Sequence, residues 1–287
     1  MLELTVGFLD NVRLDKPGEE PAAGGPRRGS ALVTIAIATL ATAAAAAVYV
    51  LFGRTSEPPQ GPVRTEQPAG TLEPGTKAEA GENIPLPPLD ATDPIVRKLV
   101  TQLSAHPTVA AWLATDRLLR NFVVVTMNVS EGKTPTRHLR ALVPEDRFHA
   151  RSAATGSYVD PRSYARYDRY ADAVDGLDAR GTARLYATLR PRLVEAYAEQ
   201  GIPEEKVDAV LERAIIHLLE TPGVDGGVQL REKTLSYAFA DERLESLSPA
   251  QKQLLRMGPR NARLIQAKLR DLTLYLGIPS AKLPPPR

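Results

Sequence analysis

The sequence predicts a mainly α protein built as a single transmembrane helix, a disordered linker and a helical globular domain with a small β element. Three observations predict it. Ala31–Phe52 runs for 22 residues without a charge, a Pro- and Gly-rich stretch follows, and apolar residues recur at helical spacing through most of residues 90–287. At 43% hydrophobic and 24% charged, the 287 residues have a globular composition, which excludes a chain disordered throughout or a collagen-like fibre. With 36 basic against 34 acidic residues, the net charge of +2 gives no global field that would steer nucleic acid. The absence of cysteine excludes disulfides, thiol chemistry and Cys-based metal sites, and leaves the compartment open.

Residues 1–30 read as a disordered cytoplasmic tail, too short and too polar to build a core. Residues 31–52 read as the membrane helix. At ~1.5 Å per residue they span about 33 Å, against a hydrocarbon core of about 30 Å. Nine of the 22 are strong hydrophobes, and low-complexity sequence on both sides offers nothing else to bury them. A secretory signal has an apolar region of about 7–15 residues, so the length favours an uncleaved anchor in the lipid bilayer. Lys16, Arg27 and Arg28 before the segment outnumber Arg54 and Arg64 after it, which places the amino terminus inside and the carboxyl-terminal domain outside the cytoplasm. Residues 53–89 hold eight Pro and five Gly without apolar periodicity, and read as a linker with an end-to-end reach of roughly 35 Å.

Residues 90–287 are long enough for one domain with a core. Asp93-Pro94 reads as a cap with a first-turn proline leading into Ile95, Val96, Leu99, Val100 and Leu103. Leu118, Leu119, Phe122, Val123 and Val125 repeat the pattern, ended by Gly132 and Pro135. Asp160-Pro161 opens a helix with Tyr164, Tyr167, Ala171 and Val174 on one face. The next carries Leu185, Leu189, Leu193 and Tyr197, with a kink or break expected at Pro191. Residues 203–220 fit the i, i+3, i+4, i+7 template throughout. Ser248-Pro249-Ala250-Gln251 matches a capping box, and the final helix follows Gly258-Pro259 and runs to about Leu276. Strands are expected at 140–143, 148–151 and 157–159, with further alternation in 228–239.

Catalytic signals are sparse. His106, His138, His149 and His217 never fall three or four residues apart, so no helical metal pair exists, and no HExxH, GxSxG, P-loop or GxGxxG motif occurs. His106 and His217 read as capping or core-edge residues, and the glycines of 223–227 as a turn between elements. No metal, cofactor or catalytic residue is assigned. Tyr164, Tyr167 and Tyr170, close to Tyr158, are candidates for an aromatic interface, although the same residues serve equally as core. Charge is the second feature. Residues 90–239 balance at 20 bases and 20 acids, whereas 240–287 hold nine bases against four acids. Lys252 and Arg256, followed by Arg260, Arg263 and Arg270 opposite Leu264, Ile265, Leu269 and Leu272, form a basic amphipathic face suited to an acidic partner.

The run LSPAQKQLLRMGPRNARLIQAKLRDL (247–272) resembles the carboxyl-terminal signature of a bacterial family catalogued as domain of unknown function 3014. LPPLDATDP (86–94), HPTVAAWLATDRLLRNFV (106–123), RHL (137–139) and SYARYDRYADAV (163–174) are similar to other parts of it. The resemblance implies a single-pass, membrane-anchored protein with a Pro-rich linker, and carries no catalytic residues with it. The expectation is a bacterial inner-membrane protein whose extracytoplasmic domain is an interaction or adaptor module. It would bind an envelope protein, a cell-wall polymer or anionic lipid through Lys252, Arg256, Arg260, Arg263 and Arg270, and not nucleic acid. The alternatives are an envelope-polymer enzyme that brings the tyrosines together with His138 or His149 and a carboxylate, and a structural tether or oligomerisation unit; the sequence sets no oligomeric state.

Overall fold

Helix caps and apolar spacing translate directly into the first half of the fold. The structure is a computed structural model that describes residues 78–135, 143–144, 146–233 and 236–285. The expected tail, membrane segment and most of the linker lie outside the described residues, as do His138, residues 140–142 of the first expected strand and Leu235. No helix among the described residues is long and apolar enough to cross a membrane.

Helix α1 (Asp93–Leu103) has Pro94 in its first turn, but Asp93 does not cap it. The Asp93 carboxylate instead accepts the backbone N–H groups of Arg117 (2.7 Å) and Leu118 (2.9 Å) at the start of a later helix. Those first-turn donors have no partner within their own helix, and Arg117 enters it in the left-handed region at φ 56°, so an acceptor from outside is required. After α2 (Pro107–Leu113), that later helix is α3 (Leu118–Ser130). His106 caps α2, its Nδ1 accepting the Thr108 N–H at 3.1 Å.

The helix expected after Asp160 is broken in two, α4 (Pro161–Ala165) and α5 (Asp168–Asp175), with Asp160 accepting the Arg162 N–H as its cap. Helix α6 (Ala179–Ala198) runs straight through Pro191 as one element. Proline there removes the bond to the Ala187 carbonyl. That is where an unexpected strand of chain lies: Gly81 sits so close that a Cβ on it would be 2.6 Å from the Ala187 carbonyl carbon. The Glu82 N–H donates to Thr188 Oγ1 at 2.8 Å, Glu79 pairs with Arg180 at 2.8 Å, and Arg192 donates to the Leu86 carbonyl at 2.9 Å. Among the described residues, packing contacts thus reach back to Ala78, which lies against Gly277, twelve residues ahead of the boundary expected at Asp90.

Helix α7 (Val207–Leu219) follows a short 3₁₀ turn at Glu204–Lys206. Helices α1, α3, α6 and α7 enclose the first core, centred on Val96, Leu118, Val123, Leu193, Tyr197 and Val207. Four short strands, β1 (Ala150–Ala153), β2 (Gly156–Val159), β3 (Gln229–Glu232) and β4 (Tyr237–Phe239), form one antiparallel sheet in sequential order. Register pairs Ala150 with Val159, Ser157 with Leu230 and Leu230 with Phe239. Short helix α8 (Glu242–Glu245), α9 (Pro249–Arg256) and α10 (Pro259–Leu276) complete the chain. The inner face of the sheet and α9 bury a second core of Val159, Val228, Leu230, Phe239 and Leu255. The protein is thus mainly helical with a small four-stranded antiparallel sheet.

Candidate functional site

The junction of α9 and α10 organises the basic residues. Ser248 and Gln251 satisfy each other's backbone N–H groups at 3.2 Å, which completes the capping box and starts α9. Gly258 ends it at φ 91°, a conformation that favours glycine. A Cβ there would also meet the Tyr164 ring at 2.6 Å, so Gly258 is required twice over. One turn later the buried Asn261 shares its amide among the carbonyls of Tyr164 (3.2 Å) and Met257 (2.9 Å) and the Asp168 carboxylate (2.8 Å). The Met-Gly-Pro-Arg-Asn run of the closing signature is therefore a clamp that holds α4 and α5 against α10.

The five basic residues do not form one open face. Lys252 turns back to the Glu245 carbonyl at 2.9 Å, with the Glu245 carboxylate 3.5 Å away. Arg256 stacks over the Phe239 ring at 5.8 Å, and burial lowers its pKa from the usual value. Arg270 donates to the carbonyls of Pro284 (2.8 Å) and Pro285 (3.1 Å), holding the chain end beside the helix. A helical stripe counted from sequence omits these neighbours, because they come from other elements. Arg260 and Arg263 differ from the other three. Their side chains are 56% and 60% exposed, paired at the surface with Asp172 (2.8 Å) and Asp225 (3.3 Å). The Asp172 hydrogen bond raises the pKa of Arg260. Arg260 lies in the first turn of α10, at the positive end of its dipole, where cations are disfavoured, and Arg263 follows one turn on.

Beside Arg263, a cavity of about 70 Å³ opens into the second core, walled by Tyr164, Val224, Val228, Phe239, Leu255 and Ala262. The Tyr164 hydroxyl is buried without a hydrogen-bond partner, and burial pushes its pKa up to about 12. Tyr167 and Tyr170 are only 9% exposed. Their rings support Arg166 and Arg169, at 5.0 and 4.8 Å, so the expected aromatic interface is core with guanidinium groups over it.

The histidines are dispersed. Nε2 of His217 lies 2.7 Å from Ser248 Oγ, a nucleophile–base separation. That hydroxyl already accepts the Gln251 N–H, and Gly132 presses on it so closely that a Cβ would lie 2.9 Å from Ser248 Cβ. The pair joins the ends of α3, α7 and α9. The main chain of His149 exchanges hydrogen bonds with Ser163 Oγ (2.6 and 2.8 Å), and none of the described histidines lines the cavity. Among the described residues, no group of three His, Asp or Glu could hold a metal ion. Sequence reasoning missed the cavity, because residues 222–227 read only as a turn and Tyr164 meets Gly258 across 94 positions of chain.

No curated protein and no solved structure matches the chain. The profile of a family described as "Protein of unknown function (DUF3014)" matches residues 118–273, from the first residue of α3 to the last buried residue of α10. That span is more than half of the chain and contains the α9–α10 clamp, the sheet and the cavity, and the chain belongs to this family.

Proposed function

We propose that the protein is a membrane-anchored interaction module whose helical domain, outside the cytoplasm, binds an acidic component of the bacterial envelope. The observation that carries the reading is the pair Arg260 and Arg263, both exposed near the start of α10. Surface ion pairs of this kind contribute ~0–1 kcal/mol, so intramolecular stability is a weak reason for placing two cations there. The contact narrows from the five basic residues of the sequence to these two, because Lys252, Arg256 and Arg270 turn to Glu245, Phe239 and the Pro284–Pro285 carbonyls, whereas Arg260 and Arg263 stay more than half exposed in their pairs with surface carboxylates.

Charge reversal tests it. The Arg260→Glu/Arg263→Glu protein, extracted in mild detergent, should recover a chemically cross-linked envelope component at least tenfold less well than the unaltered chain. Its circular dichroism and thermal midpoint should change little. Equal recovery from both proteins contradicts the proposal.

A further inference from the structure

The loop that roofs the cavity is itself shaped like a ligand. Residues 222–227 read Pro-Gly-Val-Asp-Gly-Gly. Val224 packs against the second core and forms part of the cavity wall, while Asp225 reaches Arg263 at 3.3 Å with its side chain 97% exposed. One apolar side chain beside one carboxylate thus lies across an apolar hollow with an arginine at its rim. The loop is lightly held. A Cβ at Gly223 or Gly226 would touch nothing within 4 Å, and Gly226 has φ 90°. Its ion pair with Arg263 is exposed on both sides and easily exchanged.

We infer that the cavity beneath residues 222–227 is a recognition site for an extended acidic peptide segment, with Val224 and Asp225 as its displaceable internal occupant. This deepens the proposed function by naming the class of envelope component as protein. The incoming segment places a small aliphatic side chain among Val228, Phe239, Leu255 and Ala262, and a neighbouring carboxylate replaces Asp225 on Arg263. A cavity of about 70 Å³ sets the size limit. An apolar cavity of roughly 150 Å³ admits benzene, so this one suits a side chain no larger than that of valine and is too short for an acyl chain. A filled pocket beside a charged rim is the usual form of an interface anchor.

The test uses the full chain in detergent and a fluorescein-labelled peptide with the loop's own sequence, Pro-Gly-Val-Asp-Gly-Gly, read by fluorescence anisotropy. Asp225→Asn, on an exposed loop, frees Arg263 and should tighten binding at least fivefold. Arg263→Gln should weaken it at least tenfold. Ala262→Leu, which fills the hollow and keeps every charge, should weaken it to the same degree. Should Ala262→Leu fail to fold, a peptide with serine in place of valine replaces that arm, with the same loss expected. Affinity that is absent throughout, or equal across these variants, overturns the inference. So does cavity-dependent binding to phosphatidylglycerol vesicles, which would make the ligand lipid. Loss of the cross-linked component on reversing Arg260 and Arg263, with no effect of Ala262→Leu on it or on peptide binding, would leave the basic contact standing and remove the cavity from it.

Discussion

Two residues of the closing signature set the α9–α10 corner by steric exclusion and hydrogen bonding. Any side chain at position 258 is strained at φ 91° and collides with Tyr164. Gly258→Ala should therefore lower stability by about 3 kcal/mol, combining positive-φ strain with overpacking, as read from urea denaturation. Asn261→Ala removes the amide that ties the Tyr164 and Met257 carbonyls to the Asp168 carboxylate and should destabilise by about 2 kcal/mol in the same experiment. Tyr164 and Tyr197 add a pH signature. Burial raises both phenols to about 12, above the ordinary value of 10. Ionisation is easier in the unfolded chain, so their contribution is intact below pH 10 and is lost as pH rises from 10 through 12. The thermal midpoint should fall across that window, and less steeply in Tyr164→Phe.

At the level of elements, local signals were legible and cross-chain ones were not. The capping box at Ser248, the caps at Asp160 and His106, and the periodicity of 203–220 each depend on residues within one turn, and each appears where the spacing placed it. Asp93 has the same chemistry as a local cap but serves α3, because the nearest unsatisfied donors belong to a different helix. Pro191 predicted a kink or break in α6; the helix continues as one element through it, and residues 79–86 pack along the face it weakens. A Pro- and Gly-rich composition gave no hint of that docking, since it depends on the close approach that Gly81 alone permits. Gly81→Val should lift this segment off α6. Hydrogen exchange at Glu82, whose N–H is held by Thr188, should then accelerate at least tenfold while α3 stays protected.

For the whole molecule, surface carboxylates paired with arginine add a modest acid sensitivity. Arg162 holds Asp160 at about 2, Arg120 lowers Glu199, and Arg243 lowers Asp241. Folded pKa values below the unfolded ones contribute stability that is present above the unfolded value and lost as pH falls through the folded one. The thermal midpoint should be flat from neutrality to about pH 5 and decline below about 4, with the decline reduced at high salt. The proposed tethering would decide which partners this domain can meet, and the absence of cysteine makes it directly measurable. Ala267 is exposed on α10, so Ala267→Cys gives a single labelling site beside the proposed contact. A membrane-impermeant maleimide added to intact spheroplasts should label the membrane-pelleted chain as fully as it does after lysis. Labelling only after lysis, or recovery of the chain in the soluble fraction, would contradict an anchored domain facing the envelope.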